Sequence, residues 1–398
     1  MKNITKNVVI IGASHAAAEA ISCLRRAGWG ERITLIGDEN CLPYQRPPLS
    51  KAYYKGDINA DKLTIKKRSF YDSAKVDLIL GKRANLINRD SKEVLLQDGK
   101  KIPYSKLILA TGTRARILPV EGADAACIKY LRTLADVDDI KASLAPRGKL
   151  LIVGAGYIGL EVAASAIKQG IEVTVLEAQG RVLARVTSEY VSAFYQDIHR
   201  EAGVDIRLDA GLKRFSTEAN SNYAELEDGE LIKFDCAIIG IGVIPNVELA
   251  EQAGLACGNG IVVDEFTRTE DPDIYAVGDC SNHHSYLYKK RIRLESVPNA
   301  VAQAKTAALS ICGDNRAYNQ LPWFWSDQYD VKLQTAGLMQ DHDEILVDGD
   351  VKARKFTVSY FNEGKLIALD AINSPAEFMK AKKRISLDLY DDGFVSST

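Results

Sequence analysis

The sequence lacks most features that mark a membrane protein, a metalloprotein or a nucleic-acid-binding protein. None of its 398 residues belongs to a run of about 18 apolar residues, so no segment is expected to cross a membrane. The seven cysteines are scattered and form no C-x-x-C pair, which argues against a zinc site and a thioredoxin-type redox pair. The formal net charge is −2, and this balance does not predict binding to nucleic acid.

The N-terminal residues 1–6 have no apolar core of the kind found in secretory signals. A cytoplasmic protein is therefore expected. Hydrophobic residues make up 46% of the chain and charged residues 26%, which is ordinary for globular proteins. The length predicts two or three domains.

A dinucleotide-binding pattern opens the chain. The apolar run 7–11 is followed by Gly12, a helix-like segment and a second apolar run, 33–36. Gly12 permits a tight turn, and the small residues after it allow a pyrophosphate to approach the helix N-terminus. Asp38 lies at the end of the second run, where a carboxylate can accept hydrogen bonds from a ribose. Ser14 stands where a glycine is usual, so this copy of the pattern is degenerate.

A second and complete copy follows. Gly154, Gly156 and Gly159 form a full G-x-G-x-x-G after an apolar run, and Glu177 ends the next apolar run. Two copies in one chain predict two bound dinucleotides.

A stiff loop lies between the two copies. Three prolines hold residues 42–51 rigid and extended, and Ser50 is expected to cap the following helix. The loop either only connects the segments on its two sides, or it forms a rigid support that holds Arg46 and Lys51 beside a cofactor.

The order of segments predicts an inserted duplicate. Residues 107–112 and 236–242 each form an apolar strand that ends in glycine. Later, Asp279 ends a strand, and a helical apolar stripe begins near Pro298. The predicted domains are 1–114 with 246–322, 115–245, and 323–398, of which 391–398 is expected to be a loose tail.

The sequence also resembles a known family over nearly its whole length. The segments that carry the resemblance are LPYQRPPLSKAY, YLRTL, GAGYIGLEVAASAIK, VSAFYQDIHREAGVDIR, GIGVIPN, YAVGDC, ESVPNA and PWFWSDQY. They are similar to FAD-dependent NADH:ferredoxin reductases of bacterial oxygenase systems, of the putidaredoxin-reductase type. The resemblance implies an α/β, glutathione-reductase-like fold with two Rossmann-like dinucleotide-binding domains and a C-terminal α+β interface domain.

The glycine patterns and the resemblance together imply two sets of cofactor-binding residues, and no metal site is expected. The FAD set is Gly12, Ser14, His15, Ala16, Asp38, Glu39, Arg46, Pro47, Lys51, Ala84, Arg132, Asp279 and Val297. The NAD set is Gly154, Gly156, Tyr157, Ile158, Gly159, Glu161, Glu177, Arg185 and Gly242.

The implied reaction is hydride transfer from NADH to FAD, followed by transfer of single electrons to an acidic [2Fe–2S] ferredoxin that serves a monooxygenase. In such enzymes Lys51 and Glu161 would pair beside the flavin, and Trp325 would lie against it. Ferredoxin would dock on a basic face. Of the clusters 66–68, 289–291 with Arg293, and 380–384, the middle one is favoured because it lies between Asp279 and the helix at Pro298.

Four other protein classes share this fold. Disulfide reductases of the fold need a C-x4-C pair, and the proline loop has none. An NADH oxidase or peroxidase would need a reactive cysteine, for which Cys41 is the candidate. A rubredoxin reductase, and a binding protein like apoptosis-inducing factor, remain the other possibilities.

Overall fold

The structure of the protein is a computed structural model that describes residues 6–390, with side chains through residue 387. The tail predicted for residues 391–398 lies outside this range. Contacts group the chain into two units, and residues 46–62 fall in the second rather than with the flanking segments. The first unit is Met1–Gln45, Leu63–Arg114 and Ile244–Trp323, and the second is Arg46–Lys62, Ala115–Val243 and Phe324–Thr398. The three-domain division stays a prediction.

A five-stranded parallel sheet forms the centre of the first unit. Its central strand, Asn7–Ile11, is completely buried, as expected for a parallel strand covered on both faces. In spatial order the strands are Ile274–Ala276, Lys106–Leu109, Asn7–Ile11, Arg32–Ile36 and Val76–Ile79.

Two alanine-rich helices pack against each other on one face of this sheet. Ala17 and Ala20 of helix His15–Arg26, together with Ala304 of helix Val297–Ile311, lie in one buried cluster. Small side chains let the helix backbones approach closely. The apolar stripe predicted near Pro298 is therefore a buried helix face.

Shorter elements complete the first unit. A three-stranded antiparallel sheet has a turn at Asp98 and Gly99, with Gly99 at φ +83°. The elements are strands Ala84–Asn88, Glu93–Leu96, Lys101–Pro103, Cys257–Gly258, Gly260–Val263, Ser281–Ser285 and Lys290–Ile292, helices Arg68–Ser73 and Glu248–Gln252, and the 3₁₀ turn Gly278–Cys280.

The second unit repeats the parallel sheet. The strand of the second glycine pattern, Lys149–Val153, is again central, with the strand after its helix on one side and Cys236–Ile239 on the other. This matching order supports the predicted duplication. In spatial order the strands are Asp205–Arg207, Glu172–Leu176, Lys149–Val153, Cys236–Ile239 and Ile128–Tyr130. Around them lie the antiparallel sheet Leu212–Glu218, Ser221–Leu226 and Leu231–Phe234, and helices Leu134–Ser143, Tyr157–Ile167 and Glu189–Glu201.

An antiparallel sheet and a helix form the C-terminal part of the chain. Four of the five strands of this sheet lie after residue 330, and helix Pro375–Tyr390 follows them. In spatial order the strands are Trp323–Gln328, Val331–Gly337, Lys365–Ile372, Lys355–Asn362 and Glu344–Asp350. The remaining short elements are the 3₁₀ turns Pro47–Ser50 and Ala60–Leu63, helix Ala52–Lys55, and strands Thr113–Ala115 and Val243–Pro245. Within residues 6–390, no helix is both long and apolar enough to cross a membrane.

A buried carboxylate lies within the second unit, between this C-terminal sheet and the loop before helix Glu189–Glu201. Asp370 is 4% exposed and accepts hydrogen bonds from the hydroxyls of Thr187 and Tyr360. Burial nevertheless raises the pKa of Asp370 to about 6, because the two hydroxyls only partly replace water. The folded protein therefore holds this proton over a range of pH in which the unfolded chain has released it.

We expect Asp370→Asn to change the pH dependence of stability. Because the pKa of Asp370 is raised from 3.8 to about 6 on folding, its contribution to stability is present in full below pH 4 and falls as pH rises through 6. An asparagine does not titrate, so its stability relative to wild type should improve over this window. Urea midpoints measured at pH 4.5 and pH 7.5 test this; a mutant deficit equal at both pH values would contradict it.

Candidate functional site

The turn of the first glycine pattern is closed by backbone contacts. Gly12 has φ +106°, and a Cβ built on it would lie 2.1 Å from the carbonyl oxygen of Ala110. Its N–H donates to the carbonyl of Ile36 over 2.8 Å. No side chain can replace this glycine without moving the neighbouring backbone at Ala110.

A pocket of about 290 Å³ opens beside this turn. Gly12, Asp38, Ala84 and Thr111 are among its lining residues, so three predicted FAD-binding residues are brought together. The size and the mixture of backbone, carboxylate and apolar lining suit part of a dinucleotide. The residues present therefore fit FAD.

The helix that follows the turn begins without a side-chain cap. Ser14 occupies the N-cap position, but its hydroxyl makes no capping hydrogen bond, and His15 is the first helical residue. A Cβ built on Gly278 would lie 3.8 Å from the Cβ of Ala16, which places the neighbouring Asp279 close to the start of this helix. The predicted residue Val297 opens the partner helix.

Glu39 has a partner within its own loop. Its Oε2 accepts a hydrogen bond from the hydroxyl of Tyr44 over 2.7 Å. This contact orients the carboxylate, and the sequence pattern did not indicate it.

The second glycine pattern shows why each of its glycines is needed. A Cβ built on Gly154 would lie 2.6 Å from the carbonyl oxygen of Gly240. A Cβ built on Gly159 would lie 2.3 Å from the carbonyl oxygen of Gly154. At Gly156 a built Cβ meets nothing within 4 Å. Gly156 therefore leaves an open backbone surface at the N-terminus of helix Tyr157–Ile167, where a pyrophosphate would bind.

Glu177 contacts this turn directly. Its Oε2 accepts from the N–H of Ala155 over 2.8 Å, and its Oε1 accepts from the N–H of Gln179 over 2.9 Å. The guanidinium of the neighbouring Arg181 is hydrogen-bonded to backbone. It donates to the carbonyls of Ala184 and Thr187 over 2.7 and 2.8 Å. Arg181 is thus held away from any role as a phosphate ligand.

The other predicted NAD-binding residues lie around the same strand ends. The Arg185 guanidinium lies 3.5 Å from a Cβ built on Gly242, which has φ +104°. The Tyr157 ring contacts the Phe324 ring at a centroid distance of 4.7 Å, and the side chain of Ile158 is exposed. Burial raises the pKa of the Tyr157 phenol well above its usual value.

The proline loop brings two predicted FAD-binding arginines into contact. Arg46 donates from a guanidinium nitrogen to the carbonyl of Arg132 over 2.7 Å. Arg132 in turn donates its N–H to Asp136, which also closes a capping box with Thr133. Pro47 then begins the 3₁₀ turn that ends at Ser50.

A buried ion pair lies just after this turn. Lys51 Nζ is 2.6 Å from Glu161 Oε2, and the two side chains are 18% and 5% exposed. Glu161 lies on the first turns of helix Tyr157–Ile167. The family resemblance implied this contact, and the structure brings the two residues together. A carboxylate so buried needs several donors to offset the loss of water.

Two serines supply those further donors, and sequence reasoning missed both. Ser50 donates to Glu161 Oε2 over 2.5 Å, and Ser326 donates to Glu161 Oε1 over 2.6 Å. The prediction that Ser50 caps the next helix is wrong: Lys51 is the N-cap residue and no side chain caps that helix. For Ser50, the sequence offered one indication of such a role, namely a hydroxyl at the end of the Pro-Pro-Leu-Ser turn next to Lys51. No signal pointed to Ser326.

Trp325 is the residue before Ser326 on strand Trp323–Gln328. Its side chain is half-buried, and its ring centroid lies 6.5 Å from that of Phe324. Because side chains alternate along a strand, Trp325 and Ser326 point to opposite faces. Its predicted contact with the flavin stays a prediction.

The cysteines do not form a redox pair. None of the seven, which lie between residues 23 and 312, forms a disulfide. Cys41 is half-buried in the loop before the prolines. In the part of the chain that the structure describes, no three histidine, cysteine or acidic side chains are grouped to hold a metal ion.

Comparison with known proteins assigns the family. Residues 6–304 match the pyridine nucleotide-disulphide oxidoreductase family, and residues 323–391 match the reductase C-terminal family. The chain is 45% identical to putidaredoxin reductase of Pseudomonas putida over 96% of its own length and 92% of that protein's. It is 41% identical to rhodocoxin reductase of Rhodococcus erythropolis over 96% and 90% of the two lengths.

The fold agrees with these sequence matches. The structure superposes on putidaredoxin reductase in its covalent complex with putidaredoxin with a TM-score of 0.93, at 43% identity, covering 97% of this chain and 94% of the other. The predicted glutathione-reductase-like α/β class is therefore confirmed, as are FAD and NAD(H) as the cofactors of the family. The chain belongs to the pyridine nucleotide-disulphide oxidoreductase family, and within it to the ferredoxin reductases of the putidaredoxin-reductase type.

Proposed function

We propose that the protein passes electrons from NADH, through FAD, to a small [2Fe–2S] ferredoxin that serves a monooxygenase. The buried pair of Lys51 and Glu161 carries the proposal. A buried charge pair seldom stabilises a fold better than apolar side chains would, so its presence favours a functional role. The relatives support it, since putidaredoxin reductase and rhodocoxin reductase are named for the redox proteins that they reduce.

Each group of residues has a part in this reaction. FAD, when bound, accepts a hydride from NADH and releases electrons one at a time. Gly12 and Gly156 allow the two dinucleotides to approach helix N-termini, and Asp38 and Glu177 accept hydrogen bonds from ribose hydroxyls. Lys51 would supply a positive charge beside the reacting rings of the bound cofactors, and Glu161 holds the Lys51 ammonium in place.

A comparison of electron acceptors is the experiment that tests this proposal. Rates of NADH-dependent reduction of a [2Fe–2S] ferredoxin, a rubredoxin and molecular oxygen should be compared with the same FAD-loaded protein. We expect ferredoxin to be reduced fastest. Faster reduction of rubredoxin, or oxygen consumption that equals NADH oxidation without ferredoxin, would replace the proposal with the corresponding alternative. Oxygen consumption that disappears in Cys41→Ser would identify the peroxidase-type reaction.

We also propose a cytoplasmic location, because NADH and free thiols occur together there. The absence of a disulfide among the seven cysteines supports this compartment.

The first expectation is a strong preference for NADH over NADPH. The Glu177 carboxylate would repel a 2′-phosphate, and Arg181 cannot compensate because backbone carbonyls occupy its guanidinium. The ratio of kcat/KM should favour NADH by roughly a hundredfold, which corresponds to about 3 kcal/mol. Steady-state rates with both nucleotides measure this ratio, and comparable kcat/KM values would contradict the assignment of Glu177.

The second expectation concerns the ion pair. In Lys51→Ala, FAD reduction by NADH should slow by roughly tenfold or more, whereas NADH binding should change much less. The reason is that Lys51 acts on the reacting rings and not on the parts of NADH that provide binding. Stopped-flow reduction over a range of NADH concentrations separates the two quantities.

Lys55→Ala provides the matched control. Lys55 lies one helical turn further on, and its ion pair with Asp57 is substantially exposed. This variant should reduce FAD at the wild-type rate. If Lys51→Ala also does so, Lys51 has no part in the hydride transfer.

The favoured docking cluster is partly tied to the predicted FAD site. Arg293 donates to the carbonyl of Asp279 over 3.2 Å, and Arg291 donates to the carbonyl of Asn282 over 2.8 Å. Both guanidinium groups therefore stabilise the backbone around them. Lys289 and Lys290 lie at the exposed hairpin beside them and supply the positive charge that would attract an acidic partner.

The third expectation is that charge reversal at this hairpin weakens docking. Lys289→Glu with Lys290→Glu should raise the apparent KM for ferredoxin severalfold and flatten its dependence on salt, because electrostatic steering is lost. Reduction of ferricyanide by NADH should be unchanged. Lys66→Glu with Lys67→Glu makes the same change of charge in another cluster and is the control. Should the control pair weaken docking more than the hairpin pair, the docking face lies at residues 66–68.

A further inference from the structure

A chain of buried hydrogen bonds leads away from the Lys51–Glu161 pair. Ser326 contacts Gln328 over 3.2 Å, Gln328 contacts His199 Nε2 over 2.8 Å, and His199 Nδ1 contacts the hydroxyl of Tyr329 over 2.9 Å. Ser326 and His199 are 0% exposed and Gln328 is 2% exposed. None of these residues belongs to the predicted cofactor-binding sets, so their burial as polar groups needs another reason.

The carboxylate determines the direction of every bond in this chain. An ionised carboxylate can only accept, so Ser326 must donate its single hydroxyl proton to Glu161. Ser326 must then accept from the amide nitrogen of Gln328, which turns the amide oxygen toward His199. His199 must therefore carry its proton on Nε2 and accept from Tyr329 on Nδ1.

The surroundings of His199 agree with a neutral ring. Burial lowers the pKa of His199 to about 4, so the imidazole carries one proton at pH 7. The ammonium of Lys168 lies 5.6 Å from the centre of the Tyr329 ring. A positive charge at that end of the chain further disfavours a charged imidazole.

We propose that His199 and Gln328 are positioning residues for the Lys51–Glu161 pair, and that they hold the Ser326 hydroxyl in the direction that keeps Glu161 fixed against Lys51. The proposal rests on the function proposed for that pair. A chain in which each member donates toward the carboxylate stabilises its charge along the whole series. If the His199 donor is lost, the Gln328 amide can turn over, and its oxygen then competes with Glu161 for the Ser326 proton.

The direction of the chain can be observed without any turnover. The protein has five histidines, and long-range ¹H–¹⁵N spectra of histidine-labelled holoprotein report the tautomer of each ring. The His199 signals are assigned by their absence from the spectrum of His199→Gln. We expect the Nε2–H tautomer at pH 7, and we expect Ser326→Ala, which removes the link to Glu161, to shift His199 toward a mixture of tautomers. An Nδ1–H tautomer in the wild type, or a tautomer that Ser326→Ala leaves unchanged, would overturn the proposal.

The consequence for the reaction is tested by a pair of variants. His199→Phe keeps a ring but no donor, whereas His199→Gln places an amide N–H near the position of Nε2–H. We expect His199→Phe to slow FAD reduction by NADH roughly three- to tenfold with a nearly unchanged dissociation constant for NADH, and we expect His199→Gln to recover most of the rate. Equal rates for His199→Phe and wild type, or equal losses in both variants, would overturn the positioning role.

Tyr360→Phe controls for general damage to buried polar contacts. Tyr360 is 0% exposed and is hydrogen-bonded to Asp370 and Ser188, neither of which belongs to the series of hydrogen bonds that ends at Glu161. This variant should lose stability but keep the wild-type rate of FAD reduction; a rate as low as that of His199→Phe would show that packing alone explains the effect. If wild-type FAD is reduced by NADH but ferredoxin is not, the function proposed above fails, and both tests of the chain still apply.

Discussion

Much of the second unit is arranged around the burial of one negative charge. Glu161 is 5% exposed, and a carboxylate in that position is stable only if charged and polar groups replace its lost water. The replacements come from separate parts of the chain: Ser50 and Lys51 from the proline turn, and Ser326 from the C-terminal sheet. Three elements therefore meet at this charge, and displacement of the proline turn or of the C-terminal sheet would remove at least one of its partners.

The sequence carried strong information on the backbone around this point. The glycines at 12, 154 and 159 occupy positions where a Cβ would lie within 2.6 Å of a carbonyl oxygen, and such positions leave a pattern because only one residue type fits them. Apolar runs likewise predicted the central strands and the stripe of the helix at Pro298. These features depend on local geometry, which is why a linear pattern records them.

The polar partners could not be predicted in the same way. Ser326 and His199 lie 165 and 38 residues from Glu161 along the chain, and a serine or a histidine in a strand or helix has many ordinary uses. Arg181 shows the same limit, because its position near Glu177 was equally compatible with binding a phosphate. Only its contacts with the carbonyls of Ala184 and Thr187 decide against that role. Local spacing indicates which residues are available, whereas the tertiary contacts determine how they are used.

The two hydrogen bonds of Glu177 have a consequence for how this enzyme can evolve. The same carboxylate that would contact a ribose also accepts the N–H of Ala155 in the glycine turn and the N–H of Gln179 in its own loop. A mutation that removes the negative charge to admit a phosphorylated nucleotide would therefore release two backbone donors as well. Lineages that switch coenzyme would have to pass through a variant with a loosened turn, unless a neutral acceptor first replaced the carboxylate. Coenzyme choice in this protein is thus constrained by the architecture of the turn as well as by the chemistry of the nucleotide.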